Sequence, residues 1–448
     1  MREGSLDAPT RLPIDWSNPA FIDEVKLDAE MRRQFEVCHG CRRCFNLCDS
    51  FPRLFDLIDD RGDEELNGVD TADFKSVVDS CTLCDMCYLT KCPYVPPHEF
   101  NIDFPHLMLR YRVFERSKNK IKFFDNQIIQ TDRNGKIISK FMSSISNWVT
   151  SKANIIARYL MHLIMGIHKN VELPKFFSYT FESRSKQIPA VVNIDAPAYG
   201  KEVVFFTTCF VNYNEPSIGD SSLKVLAHNG IKSHIVYPRC CGMPQLEQGD
   251  IKRVAESAYK TVKDLKPFLD KNIPIISSVP SCTLMMKSEW PLILPGNEEV
   301  KKLSKLTYDI SEFLVLINKD VGLVPGLNPL EGPISLHLSC HGRAQNIGAK
   351  GAEMLRLIPH SDVKVIERCS GHGGSWGLKK ENFEKAMKFA KGTIRKIKTT
   401  NPKYTCSECP LAAKHLSQGL ENTNAKNVLE NKALHPIQLL SRAYGLEN

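Results

Sequence analysis

Two short cysteine runs constrain this chain more than any other feature, because each places three sulfurs within seven residues and a fourth just beyond. The first, Cys38-His39-Gly40-Cys41-Arg42-Arg43-Cys44-Phe45-Asn46-Leu47-Cys48, has the spacing C-x2-C-x2-C-x3-C. The second, Cys81, Cys84, Cys87 and Cys92 followed by Pro93, has C-x2-C-x2-C-x4-C-P. A zinc site takes four ligands, usually as two pairs. Three sulfurs on one loop plus a fourth from elsewhere suit a [4Fe-4S] cube, whose clustered corners are met by a single turn of chain. In two-cluster ferredoxins the last cysteine of each run ligates the other cluster. The expected sets are therefore Cys38, Cys41, Cys44 and Cys92 for one cluster, and Cys81, Cys84, Cys87 and Cys48 for the other. Cys48 is followed by Asp49 rather than proline, and the second run is one residue longer; neither departure removes a ligand.

Sixteen cysteines in 448 residues would be staples in a secreted protein. The opening residues Met1 to Asp7 lack the apolar run of a secretory signal. A reducing cytoplasm is therefore expected, where thiols serve metal or redox chemistry. A hydrophobic content of 42% and a charged content of 25% are ordinary for a soluble globular protein of two to four domains. Residues 1–30, with Pro9, Pro13 and Pro19, read as a lead-in draped over the surface.

Residues 105–175 carry thirteen Lys and Arg against four Asp and Glu, a net of +9 where the whole chain has +8. A solvated helical face is the plain explanation. Docking onto anionic lipid or an acidic partner is the sharper one, because Ile156, Leu160, Leu163, Ile164 and Ile167 share a helical stripe. The stretch 155–167 is too short to span a bilayer and carries Arg158 and His162. No recognised motif points to nucleic acid.

From about residue 200, short apolar runs each end at a cysteine. Glu202 to Thr208 leads to Cys209, Ser233 to Tyr237 to Cys240-Cys241-Gly242, and Ile273 to Val279 to Cys282. Helices are expected near 219–229 and 249–271, giving a βαβαβ pattern with buried parallel strands. The plan repeats: Pro333 to Leu338 leads to Cys340, Val363 to Ile366 to Cys369-Ser370-Gly371, and Lys403 to Thr405 to Cys406 and Cys409. Ligands sit outside the carboxyl ends of parallel strands, so topology brings these cysteines together. The candidate metal sets are Cys209, Cys240, Cys241 and Cys282, then Cys340, Cys369, Cys406 and Cys409. The expected fold is α+β overall. A helical ferredoxin-like domain over 31–104 precedes a basic helical linker over 105–198, followed by two pseudo-symmetric α/β lobes over 199–325 and 326–448.

On Cys209-Phe210-Val211-Asn212-Tyr213-Asn214, the Cys240-Cys241-Gly242 turn, Ser281-Cys282-Thr283, the run Gly377 to Asn382 and His435-Pro436-Ile437, the chain resembles the CCG-domain iron–sulfur proteins. Among these it is most similar to the iron–sulfur subunits of anaerobic glycerol-3-phosphate dehydrogenases. Heterodisulfide reductase B and D subunits and the iron–sulfur subunit of glycolate oxidase look more distant. The resemblance spans roughly residues 35–445. It implies a subunit that takes electrons from flavin-bearing dehydrogenase subunits, of glycerol-3-phosphate or 2-hydroxy-acid type, and passes them to a membrane quinone. It also implies peripheral attachment to the cytoplasmic face of the inner membrane. No G-x-G-x-x-G follows a strand, the cluster Gly371-His372-Gly373-Gly374 being off that spacing, so no flavin or nicotinamide is expected on this chain. The heterodisulfide reductase pattern supplies five cysteines per lobe. Here each lobe has four, with Met285 and Ser370 at the altered positions, which suits one ordinary cluster per lobe with Ser370 as a candidate oxygen donor.

A thiol or disulfide reductase with a lobe cluster as its centre is the alternative function, and an electron carrier to a di-iron peroxidase is a third. His341 and His372, beside lobe cysteines, are candidates for proton relay to a quinone; more commonly such a histidine bonds a backbone carbonyl.

Overall fold

A computed structural model describes residues 4–5, 7–60, 66–90, 92–187, 189–422 and 432–446. Met1, Arg2, Glu3 and Leu6 of the opening stretch, and Lys91 of the second cysteine run, lie outside the described residues.

The apolar runs that end at cysteines form two parallel sheets. The first contains β1 (Glu202–Phe206), β2 (Lys232–Val236), β3 (Ile275–Ser277) and β4 (Thr307–Asp309) in the order β2-β1-β3-β4. The second contains β5 (Ile334–His337), β6 (Val363–Ile366) and β7 (Tyr404–Ser407) in the order β6-β5-β7. All pairings are parallel. Val203, Val204, Phe205 and Phe206 are fully buried, as in a parallel strand covered on both faces. In each sheet the chain leaves the first strand to one side and returns to the other, which opens a crevice beyond the strand ends at β1 and at β5. The expected helices form as Pro216–His228 and Ile251–Leu269. The latter buries Val254, Ala258, Val262, Leu265 and Leu269, a stripe at helical spacing. β4 has no counterpart in the sequence reading: at three residues between two helices it is too short to display alternation.

Before the sheets, the helix Glu24–Cys41 starts at Asp23, whose carboxylate accepts the Lys26 N–H, and buries Leu27, Met31 and Phe35. Phe35 meets Phe74 edge-on at 5.1 Å, and Phe51 stacks on Phe104 at 4.5 Å. A single buried apolar cluster runs from these rings through Val204 and Trp290 to Leu336 and Leu440, so the helical part and both sheets share a core.

The lead-in is mostly exposed and is pinned by hydrogen bonds along its length. The Thr10 N–H donates to the Pro96 carbonyl (2.9 Å), Ile14 N–H to Leu292 (2.9 Å) and the Trp16 indole to Ile293 (2.8 Å). Between them the buried Arg11 guanidinium donates to Asp85 (2.9 Å), Asp103 (2.9 Å) and Glu289 (3.3 Å). A strap of few apolar residues leaves no periodic trace, and its hold comes from these long-range polar contacts. The basic stretch also has inward members. Arg112 and Arg116 donate to main-chain carbonyls, and so does Arg158, which is 2% exposed. Within 155–167, Ile156, Leu160, Leu163 and Ile164 face solvent, and Ile167 is buried.

Replacing Arg11 removes the cation shared by Asp85, Asp103 and Glu289, leaving His106 as the one remaining ion-pair partner of Asp103 and Glu289 among the described residues. Arg11→Met is expected to lower stability by about 3–5 kcal/mol, measured by denaturant unfolding. Burial alone would raise the Asp103 carboxyl, but Arg11 holds it below its ordinary value. A carboxyl held low binds fewer protons folded than unfolded. This stabilisation is therefore complete above about pH 4 and is lost on acidification, so the gap between wild type and Arg11→Met narrows below that pH.

Candidate iron–sulfur centre

The first cysteine run begins on a helix end. Cys38 and Cys41 occupy the last turn of Glu24–Cys41, and Arg42 in the left-handed region (φ 50°) turns the chain back toward Cys44 and Cys48. Arg42 is held there by Asp59. Burial pushes the Cys38 thiol up, and the neighbouring Cys92, Cys44 and Cys41 sulfurs push it further. The second run turns through Leu83 (φ 49°) and Asp85 (φ 61°), two residues in a region unfavourable for side chains, on either side of Cys84. Burial also raises Cys87, reinforced by Cys84, Cys81, Cys44 and Cys48; Cys48 in turn responds to Cys84 and Cys81. The structure thus gathers Cys38, Cys41, Cys44 and Cys92 in one place and Cys48, Cys81, Cys84 and Cys87 in an adjacent one, with Cys44 and Cys87 at the junction.

In the sheets, cysteines sit where strands give way to helices. Cys209 opens Cys209–Tyr213, Cys340 opens Cys340–Arg343, Cys282 lies in Pro280–Leu284, and Cys409 precedes Pro410–Glu421. At Cys409 the Leu411 and Ala412 N–H groups at the helix start act against burial to favour the thiolate, which suits a metal ligand. The Cys240-Cys241-Gly242 turn requires its glycine, since Gly242 has φ 94°. It is clamped from outside. The Asp132 carboxylate accepts the Cys240 N–H (2.6 Å) and the Tyr237 hydroxyl, Ser257 donates to the Cys240 carbonyl (3.2 Å), and the Trp290 indole donates to the Cys241 carbonyl (3.0 Å). Cys209 and Cys240 sulfurs lie 3.9 Å apart, and Cys241 contacts both Cys240 and Cys282. At the related turn a Cβ on Gly371 would stand 2.1 Å from the Ala386 carbonyl oxygen. Thr393 donates to the Cys369 carbonyl at 2.6 Å.

The last expected set is not brought together as a unit. Cys406 lies in β7 opposite Leu336, fully buried, and does not line the cavity between the sheets. Cys409 lies within reach of Cys282 of the other sheet. The place beside Cys340 and Cys369 is taken instead by Cys84 from the second cysteine run. Contacts with Cys369 and Cys84 push the Cys340 thiol up, and the sulfur contact to Cys340 lowers Cys84. Cys369, bonded by Cys340 and by the Gly371 N–H (3.3 Å), is lowered to about 7. Cys84, Cys209, Cys240, Cys241, Cys282, Cys340, Cys369 and Cys409 line one cavity of about 320 Å³, together with Ser370, His341 and His372. Met285 is fully buried and does not line it.

His341 locks the parts together. Its Nδ1 accepts from Ser281 (2.8 Å) and its Nε2–H donates to the Leu83 carbonyl (3.3 Å), while burial lowers its proton affinity. It is a neutral bridge between the Cys84 loop and the Cys282 helix, the plainer of the two roles open to it. His372 is pushed down to about 3 by burial and by His415, so it too is neutral. Sequence reasoning missed Asp132 and Arg112, and it used Ser281 only as part of a motif without assigning it a role. Arg112 donates to the carbonyls of Val78 (2.8 Å), Glu247 (2.8 Å) and Cys81. Each acts across a large separation in the chain and leaves no local pattern.

The donor set is crowded and buried, with thiols such as Cys38, Cys87 and Cys209 pushed up and Cys84, Cys240 and Cys369 lowered by sulfur contacts; such a set fits iron–sulfur clusters, whose cations displace the thiol protons.

Fold and site together define a two-sheet, cysteine-rich protein of iron–sulfur type. The profile of the CCG cysteine-rich domain matches residues 203–287 and again 334–416. The C-subunit of the anaerobic glycerol-3-phosphate dehydrogenase of Escherichia coli (strain K12) is 26% identical over 316 residues, 70% of this chain and 75% of that protein. Lactate utilization protein A of Geobacillus kaustophilus is 31% identical over 195 residues, 40% of this chain and 75% of that protein. The D-subunit of the dihydromethanophenazine:CoB–CoM heterodisulfide reductase of Methanosarcina barkeri is 26% identical over 278 residues, 59% of this chain and 64% of that protein. The chain belongs to the CCG cysteine-rich-domain family, carrying two copies of the domain.

If Cys406 is a core residue, Cys406→Ala leaves the iron content of anaerobically reconstituted protein unchanged and lowers stability by about 1 kcal/mol. Cys84→Ser and Cys282→Ser each lower the iron content. Iron and sulfide analysis of the three variants checks this.

Proposed function

We propose that this chain is an electron-transfer subunit. It accepts electrons from a flavin-bearing dehydrogenase subunit, of glycerol-3-phosphate or 2-hydroxy-acid type, at the Cys38 to Cys92 end and delivers them at the cavity between the sheets to a membrane quinone. The Cys38 to Cys92 region is read as a ferredoxin-like domain holding two [4Fe-4S] clusters, with one or two further clusters in the lobes and the protein attached peripherally to the cytoplasmic face of the inner membrane. When bound, the clusters supply one-electron relays at these sulfurs. The observation that carries the reading is the Cys84 to Cys340 contact, which joins the second N-terminal sulfur set to the cavity. It is supported by relatives named as subunits of a glycerol-3-phosphate dehydrogenase and a heterodisulfide reductase.

The chain's own residues do two things in this scheme. Arg112, His341 and Ser281 hold the Cys84 loop against both sheets, fixing the separation of donor and acceptor sulfurs. Buried side chains such as Met243, Val279 and Leu284 keep water from the sulfurs. The alternative, a disulfide reductase, draws support from the heterodisulfide reductase relative and from the eight sulfurs around one cavity.

The test uses reconstituted protein reduced anaerobically by a low-potential donor, then mixed with a short-chain quinone or a small disulfide. The quinone is expected to reoxidise wild type, and Cys84→Ser to slow that step at least about tenfold, equivalent to 1.4 kcal/mol in barrier. Disulfide turnover that is lost in Cys241→Ala and Cys409→Ala would establish the alternative instead.

A further inference from the structure

The apolar surface of the segment 131–165 is absorbed by neither the sulfur sites nor the core. Thr131–Ile137 continues through the π-turn Ile138–Met142 into Ser143–Thr150, and Ile137, Phe141, Ile145 and Trp148 recur along it at helical spacing. All four are exposed, Phe141 by 70% and Trp148 by 67%. After a short turn, Ile155–Leu160 and the π-turn Met161–Met165 expose Ile155, Ile156, Tyr159, Leu160, Leu163 and Ile164, the first two by 77% each. A surface helix of a soluble protein turns its apolar stripe inward. Here the polar side chains turn inward instead. Arg158 donates to the carbonyls of His168 (2.9 Å), Lys169 (3.0 Å) and Val171 (2.6 Å). Asn147 donates to the Phe176 carbonyl (2.7 Å) and accepts the Phe176 N–H (2.8 Å). The hairpin is therefore fastened to the protein by its polar groups, with its apolar groups outward.

Charge decides the occupant. Lys136 and Lys140 stand one turn apart beside Ile137 and Phe141, and Lys169 follows the second helix; all three are exposed and, among the described residues, none has a carboxylate partner. The Lys140 ammonium lies 4.9 Å over the Phe141 ring. Aromatic and aliphatic groups mixed with free lysines match the boundary of a negatively charged leaflet, where rings sit at head-group depth and lysines reach the phosphates. Among the described residues no helix is long and apolar enough to cross a membrane.

We propose that the hairpin 131–165 is a monotopic docking surface for an anionic lipid bilayer. The placement has a consequence at its edge. A cavity of about 230 Å³ opens beside Phe123, Leu163 and Ile164, and its inner wall shares Ile128, Ser375 and Leu378 with the cavity between the sheets. A lipid-soluble acceptor leaving the leaflet there meets the protein next to the sulfurs. Docking deepens the peripheral-membrane part of the function proposed above and rests on that reading only for the acceptor.

The experiment is flotation of the full, reconstituted chain with vesicles of phosphatidylcholine, with or without phosphatidylglycerol. Wild type is expected to float with the anionic vesicles and to release as salt rises. Lys136→Gln with Lys140→Gln is expected to weaken binding about 30-fold. Trp148→Glu with Ile156→Glu, both exposed and lining neither cavity, is expected to abolish it while leaving iron content and visible spectrum unchanged. Wild type that stays unbound, or variants that bind as wild type does, would overturn the proposal. So would a dimer in solution that the Trp148→Glu, Ile156→Glu variant dissolves, which would assign the face to a second copy. If vesicle binding holds while the soluble quinone assay fails, docking stands and the acceptor falls.

Discussion

The structure depends on how the four-residue loop Thr82 to Asp85 is gripped between the N-terminal helices and both sheets. His341 holds the Leu83 carbonyl from the second sheet, and through Ser281 the same ring is tied to the first. Arg112 holds the Cys81 carbonyl and the Glu247 carbonyl together, and Arg11 holds Asp85 from the far side. Two residues in the left-handed region make the loop intrinsically unfavourable, so it keeps this shape only because its surroundings over-determine it. Its product is a Cys84 sulfur that belongs at once to the second N-terminal set and to the Cys340, Cys369 group.

That arrangement solves an electrostatic problem in a particular way. Buried thiols resist ionisation, and crowding several of them raises their proton affinity further. The fold answers with helix starts and turn N–H groups, which favour negative charge at the sulfurs, and with metal cations in the loaded state. The glycines at 242 and 371 allow the chain to turn sharply enough for this. At Gly371 the space beside the backbone is already filled by Ala386.

The sequence made some of this legible and hid the rest for identifiable reasons. The eight cysteines at 38 to 92 declared themselves by local spacing, and their buried sulfurs perturb one another within each group and across the junction between the groups. Six of the seven strands were readable as short runs that lead to a cysteine, most clearly the buried β1, β3 and β5 and least so the half-buried edge strand β2. Pseudo-symmetry misled at one point. By its sequence, position 406 is expected to follow a strand as its counterparts do, but it lies within β7 itself and is fully buried. The vacancy beside Cys340 is met by Cys84, some 250 residues away in sequence, and spacing cannot report such a pairing. Asp132 was hidden in the same way, a carboxylate inside a basic stretch that turns out to clamp the Cys240 turn. The stripe at 155–167 was legible as a period, but periodicity does not say which way a stripe faces. Arg158 settles that, because its three carbonyl partners lie on the protein side.

The central claim is that the N-terminal sulfur sets and the cavity between the sheets form one connected iron–sulfur assembly through Cys84. Iron analysis combined with low-temperature electron paramagnetic resonance on the reduced, anaerobically reconstituted full chain tests it most directly. The account predicts at least about eight irons per chain, the sum for two cubes, with signals broadened and split by neighbouring paramagnets. Zinc in place of iron, or isolated signals with no magnetic interaction between them, would contradict it.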